Sequence, residues 1–211
     1  MKKNLDLRIY DNLIETIRQF KKHYGLSSSI RKVDWFLWSY GKNFLSENNS
    51  GLRNKKRLLE LLKKPTDQLI GEYAGKVNTT ERYYIGDKAL RKLLEHCPNN
   101  HNLEAVWLKV IVINNLYSAG VIDTFKIANH IVKISNFDKK VENADVSLIE
   151  EIRKGHGIKR EKTGNEIDFY SFATKYCSEH SPGKYPIYDQ YVSKMHLLYR
   201  DKIAKELLGK T

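Results

Sequence analysis

Between Leu7 and Phe20 the apolar residues other than Ile9 fall at Leu7, Tyr10, Leu13, Ile14, Ile17 and Phe20. Spacings of three and four put one apolar stripe on a helix and none on a strand, and Gly25 supplies a stop. The same period returns in SSSIRKVDWFLWSYGKNFL (27–45), where serines stand at the start, and in KKRLLELLKKP (55–65), which ends at Pro65. It returns again in DKALRKLLEHC (87–97), TFKIANHIVKISN (124–136), VSLIEEIRK (146–154), DFYSFATKYCSEH (168–180) and YVSKMHLLYRDKIAKELL (191–208). The expected fold is therefore all-α. LEAVWLKVIVINNLYSAG (103–120) is apolar over most of its circumference; its β-branched run would also suit a buried strand, but its length favours a central helix. Gly71 to Gly86 reads as a turn-rich separator, and 98-PNNHN-102 as a break. A boundary placed there gives an N-terminal helical region over 1–98 and a core over 99–211, with the two lobes intertwined in space.

Charge bears on the partner. The chain has 211 residues, with 37 Lys and Arg against 25 Asp and Glu, a net charge of +12. A chain of that length and 41% hydrophobic content can bury a core, and the positive balance favours a polyanion, nucleic acid before an anionic membrane. No apolar run reaches the roughly 18 residues of a membrane span, and the opening MKKNLDLRIYDNL has no signal-peptide core. The expected protein is cytoplasmic, nucleoid-associated and monomeric. Two basic runs stand out, 53-RNKKRLLELLKK-64 and 153-RKGHGIKREK-162. The first is a helical face that solvation alone would explain. In the second, Gly155 and Gly157 allow backbone N–H groups to converge on a phosphate, flanked by Lys154, Lys159, Arg160 and Lys162.

In 185-YPIYDQYVSKM-195, Asp189 stands just ahead of the last helix, where a carboxylate caps free N–H groups. The stretch 171-SFATKYCSEHSPGKYPIYDQYVSKM-195 resembles the active-site segment of the helix-hairpin-helix DNA glycosylase superfamily, in its endonuclease-three and mismatch-adenine-glycosylase group. The resemblance covers about residues 103–200 and implies a two-lobed helical fold with a divergent hairpin. It makes Asp189 the catalytic aspartate and puts Ser171 where bifunctional members carry a Schiff-base lysine, which implies a monofunctional enzyme. Lys175, one turn along the same face, is the substitute amine. A second block, 106-VWLKVIVINNLYSAGVIDTFKIANHI-131, is similar to the family's early helix. It places Asn114 and Asn115 at the polar pair that fills the space left by an extruded base, though two asparagines also suit a helix end.

The sequence departs from that pattern at three places. Gly155-His156-Gly157 replaces the family's Leu-Pro-Gly-hydrophobic-Gly turn, Val110 stands where the mismatch-adenine branch has its glutamate, and the cysteines of an iron–sulfur cluster are missing. Cys97 and Cys177 are the only cysteines, so no cofactor, no metal and no iron–sulfur cluster is expected. Trp35, Trp38 and Tyr188 are candidates for stacking on a flipped base; as tryptophans three apart on an amphipathic helix, the first two also suit a core. The expected activity is hydrolysis of the N-glycosidic bond of an altered base in duplex DNA, in repair or defence against phage. The alternatives are a non-catalytic helical DNA-binding protein on the same scaffold and an RNA- or partner-binding helical domain.

Overall fold

The computed structural model describes residues 10–48, 55–79 and 81–208; Arg53 and Asn54 of the first basic run lie outside them. Among the described residues the protein is all-α, with eleven helices and no strand. The chain divides into two compact units: residues 1–78 with 188–211, and residues 79–187.

The first unit holds α1 (Tyr10–Tyr24), α2 (Ile30–Glu47), α3 (Lys55–Leu61), α4 (Asp67–Thr79) and α11 (Gln190–Leu208). The stripe foreseen on α1 is buried at Tyr10, Leu13, Ile17 and Phe20. Ser29 caps α2, its Oγ accepting the Lys32 N–H at 3.3 Å. The core joins Phe20, Phe36, Tyr40, Tyr73, Met195 and Tyr199. α11 lies along α2 where residue 41 is glycine; a Cβ there would stand 2.5 Å from Met195 Cγ, so only a bare backbone permits this approach. Two core tyrosines use their hydroxyls to hold the chain. Tyr40 accepts the Lys63 N–H and Tyr199 donates to the Lys63 carbonyl, each at 3.0 Å, which fixes the chain as it leaves α3. Asp67 ties the start of α4 to the α1–α2 turn, accepting the N–H and hydroxyl of Ser27 and of Ser28. Those bonds, led by the Ser28 hydroxyl, hold its carboxyl well below the usual carboxylate range.

The second unit holds α5 (Glu81–His96), α6 (Leu103–Tyr117), α7 (Thr124–Val132), α8 (Phe137–Glu142), α9 (Ser147–Arg153) and α10 (Tyr170–His180). Three expectations need correction. Gly71 to Gly86 does hold the division between the two units, at 78/79, but it is helical rather than turn-rich: α4 runs through Gly71 and Gly75, where nothing crowds the missing Cβ, while Ile70, Tyr73 and Ala74 supply the buried face. Nor is α6 the most enclosed helix. It exposes Trp107, Leu108 and Ile111, whereas nine of the eleven residues of α10 are buried. The division at 98/99 falls inside the second unit, because the 98–102 turn is sewn into it. Buried Lys109 of α6 donates to the Asn99 carbonyl at 2.8 Å, and Asn100 is bonded to Asp138 and to the Tyr176 hydroxyl. Burial pulls the Lys109 ammonium down to about 8, against the opposing pull of Asp138. The last helix, read as part of the second region, belongs instead with the first.

His196 on α11 is 1% exposed, and neither ring nitrogen has a hydrogen-bond partner among the described residues. Burial pulls its pKa down to about 3 from 6.5. The folded state therefore keeps the imidazole neutral while the unfolded chain takes up a proton below pH 6.5, so stability falls as pH falls from about 6.5 toward about 3. Between pH 7 and pH 5 this one group should remove on the order of 2 kcal/mol. Urea titrations at the two pH values should show a smaller acid loss for His196→Leu than for the wild type; equal losses would remove His196 as the cause.

Candidate functional site

A mostly polar face can be buried only if each polar group finds a partner, and the Ser171–Lys175–Glu179 face of α10 meets that condition. Ser171, Lys175 and Glu179 are four apart and so share one face. Lys175 is 4% exposed; its Nζ donates to Ser171 Oγ at 2.9 Å and lies 5.6 Å from the centre of the Tyr117 ring. Glu179 is 1% exposed, accepting the Tyr117 hydroxyl on one oxygen and the Arg91 guanidinium on the other. Arg91 also donates to the Glu179 carbonyl at 3.2 Å and pairs with Asp87 of its own helix. An amine, a hydroxyl, a phenol and a carboxylate thus form a line along one helix, with Arg91 from α5 and Tyr117 from α6. The amine end can transfer a proton through Ser171 or act as a nucleophile once its own proton is lost.

The segment between α9 and α10 is a hairpin. Its arms meet through the Ile167 N–H on the Ile158 carbonyl and the Arg160 N–H on the Asn165 carbonyl, both 2.8 Å, with a bridge between Lys159 and Glu166. Arg153 closes the base: its guanidinium holds both oxygens of Asp168, pairs with Glu150 at 2.8 Å and covers the Tyr170 ring. His156 is buried against Phe169. Its Nδ1 accepts the Ile158 N–H at 3.0 Å, so the proton sits on Nε2, which faces the carbonyls of Ile167 and Arg153. Gly155 and Gly157 have φ of +83° and +73°, and their N–H groups converge as foreseen. The anion they hold is the carboxylate of Glu166, at 3.1 Å from Gly155 N and 2.8 Å from Gly157 N. Those two bonds, Gly155 first, hold the Glu166 pKa below its ordinary value, with His156 and His130 adding to the effect. Lys154, Lys159, Arg160 and Lys162 are exposed, and none makes an ion pair among the described residues.

The two asparagines separate in role. Asn114 is half-buried and clamps the turn after α6, donating to the Val121 carbonyl at 3.0 Å and accepting the Val121 N–H at 2.9 Å. Asn115 is exposed, with its carbonyl bonded to Arg82 at 3.0 Å. Trp35 and Trp38 are half-buried, covered by Arg31 and Lys42 respectively; Trp38 packs on the rim of the first unit's core, which is built from Phe36, Tyr40 and Phe44 instead. Tyr188 is half-buried. Asp189 precedes α11 as expected: its Oδ1 accepts the Tyr191 N–H and its carbonyl the Ser193 N–H, both at 2.8 Å. Asp189 and Tyr188 belong to the first unit, Ser171 and Lys175 to the second.

Residues 69–184 match the family model described as HI_0787_N, N-terminal domain. The chain belongs to the HI_0787_N family. It is 34% identical over 139 residues to an uncharacterized protein of Haemophilus influenzae, a stretch that is 65% of this chain and 56% of that protein. The chain thus spans little more than half the length of the curated relative it matches. No solved structure matches the chain. The HI_0787_N match takes in Asn114, the hairpin and the whole polar row of α10, and ends five residues before Asp189. No group of three or more His, Cys, Asp or Glu side chains is placed to hold a metal among the described residues, and no helix is long and apolar enough to cross a membrane.

Sequence reasoning missed Glu179, Arg91, Tyr117 and Glu166. The spacing of Ser171, Lys175 and Glu179 was available as a signal, but it reads equally as a solvated face. Removing Glu179 should expose the difference. Glu179→Ala leaves the Tyr117 hydroxyl and part of the Arg91 guanidinium without their acceptor, so unfolding free energy should drop by about 2–3 kcal/mol, and Glu179→Gln by less. A surface carboxylate would give a change within about 0.5 kcal/mol in the same denaturant titration.

Proposed function

We propose that the protein is a helix-hairpin-helix-type DNA glycosylase that binds duplex DNA, turns an altered base out of the stack and hydrolyses its N-glycosidic bond. The observation that carries this reading is an order of elements: α9, a glycine-bearing hairpin with uncommitted basic residues, α10 with its Ser171–Lys175 pair, then a proline loop that delivers Asp189 to the start of α11. In the proposed reaction the departing base leaves positive charge on the sugar, and the Asp189 carboxylate stabilises that charge or orients water. The exposed hairpin cations take the phosphates, and Asn115, exposed at the end of α6, contacts the strand beside the extruded nucleotide. Repair and defence against modified phage DNA are both served by this chemistry.

One observation favours a second reading of the reaction. Lys175 is buried beside Ser171, its Nζ 2.9 Å from the Ser171 Oγ, which puts an amine nucleophile next to the position that bifunctional members fill with lysine. In that case Lys175 attacks the sugar, and borohydride traps a protein–DNA adduct that Lys175→Ala abolishes. With water as the nucleophile no adduct forms and an intact abasic site is left.

Base release from a panel of duplexes, each carrying one altered base, tests the activity. Asp189→Asn keeps an acceptor for the Tyr191 N–H, so Tm should move by no more than about 2 °C, while base release should fall about a hundredfold or more. Full release by Asp189→Asn would make Asp189 a helix cap only. Absence of release from every duplex, with duplex binding retained, would leave the non-catalytic DNA-binding protein in its place. The hairpin assignment has its own measure. Replacing Lys154, Lys159 and Arg160 with Gln should reduce the slope of log affinity against log salt by about 0.9 for every phosphate that is no longer neutralised; an unchanged slope sinks it.

A further inference from the structure

The hairpin contains a fully formed anion cradle whose occupant comes from the chain itself. Two N–H groups from left-handed glycines, Gly155 and Gly157, converge from the same side, and each is taken by a different oxygen of Glu166, at 3.1 and 2.8 Å. Two oxygens of one anion spanning two amides is the arrangement a phosphate would adopt there. The Glu166 side chain remains 31% exposed, so it can swing out without opening a core. The hairpin does not depend on it: its arms are held by backbone bonds at Ile158–Ile167 and Arg160–Asn165, and its base by Arg153, Asp168 and His156. Around this one engaged carboxylate stand Lys154, Lys159, Arg160 and Lys162, exposed and without an ion-pair partner among the described residues.

We infer that Glu166 is a built-in competitor at the Gly155 and Gly157 amides, occupying them until a phosphodiester of the proposed DNA ligand displaces it. The neighbouring cations favour the exchange, because they attract a phosphodiester to the hairpin and gain a second anion once Glu166 turns into solvent. The carboxylate prevents the cradle from holding a free monoanion at low concentration, so tight binding requires a ligand that also engages the lysines and Arg160. Glu166 thus sharpens selection of a polyanion over a small one. This inference rests on the hairpin as the DNA-facing element, but the anion site has a test of its own.

Glu166→Gln keeps the size of the side chain and removes its charge, and Glu166→Ser removes both reach and charge. In both variants, inorganic phosphate should shift the Gly155 and Gly157 amide resonances at a concentration at least about fivefold lower than in the wild type. Adding Gly157→Ala, which a φ of +73° makes strained, should abolish that response. Duplex binding by Glu166→Gln should tighten about tenfold at constant salt, and its salt slope should steepen by about one neutralised phosphate. Amides that respond to phosphate no more readily in the variants than in the wild type overturn the inference, whatever the duplex does. Amides that respond as expected while neither protein binds duplex uphold the anion site and the Glu166 competitor, and overturn nucleic acid as its ligand.

Discussion

Burying a helix that carries serine, lysine, tyrosine and glutamate on its surface is unfavourable unless every one of those groups is bonded, and that requirement organises the second unit. Glu179 fixes where α5 and the end of α6 must lie, because Arg91 and the Tyr117 hydroxyl both reach it. Tyr176 fixes the 98–102 turn through Asn100, which in turn is held by Asp138 and Lys109. At the N-terminal end, the Lys175 amine is held against Ser171. Satisfied networks of this kind are rigid, since moving one member leaves another unpaired in a low dielectric. The result is a helix whose reactive side chains have defined positions, which is what a site needs before any chemistry is assigned to it.

The hairpin solves a different problem with the same means. A turn between two packed helices must use backbone that is not helical, and its free N–H groups must go somewhere. Here His156 absorbs one of them, and by accepting on Nδ1 it is left to donate from Nε2 back to the stem. Two others, from Gly155 and Gly157, point outward and are satisfied by an exposed carboxylate rather than by backbone. Backbone partners would have made the turn permanent. A side chain near the surface makes it exchangeable.

Much of the first unit was legible in the sequence, and less of the second. The α1 stripe, the Ser29 cap, the stop at Gly25 and the aspartate ahead of α11 are local signals, and each one is where its local physics places it. The exchange of roles between α6 and α10 was not legible, because apolar periodicity ranks helices by their own residues. The partners that allow α10 to be buried lie 88 and 62 positions away, at Arg91 and Tyr117. Gly71 and Gly75 misled for the opposite reason: glycine is a breaker by propensity, yet Ile70, Tyr73 and Ala74 bury enough surface to keep α4 whole. The glycine pair of the hairpin was readable as an anion cradle from its residue types alone. Its occupant was not, since Glu166 lies beyond a loop whose closure no periodic signal records.

The positive charge of the chain is not uniformly available to a partner. Arg91, Arg153 and Lys140 are engaged by Glu179, Asp168 and Glu151, while Lys109 and Lys202 are engaged by backbone carbonyls. These cations hold the fold together, and counting them toward attraction of a polyanion would overstate it. The hairpin set differs because Lys154, Lys159, Arg160 and Lys162 stand exposed on one connecting element, beside two amides that already bind an anion. The case for a phosphate-bearing ligand therefore rests on where charge is uncommitted rather than on the net value of +12. It rests most firmly on the 153–162 segment, where solvent-exposed cations and fixed backbone dipoles belong to one loop.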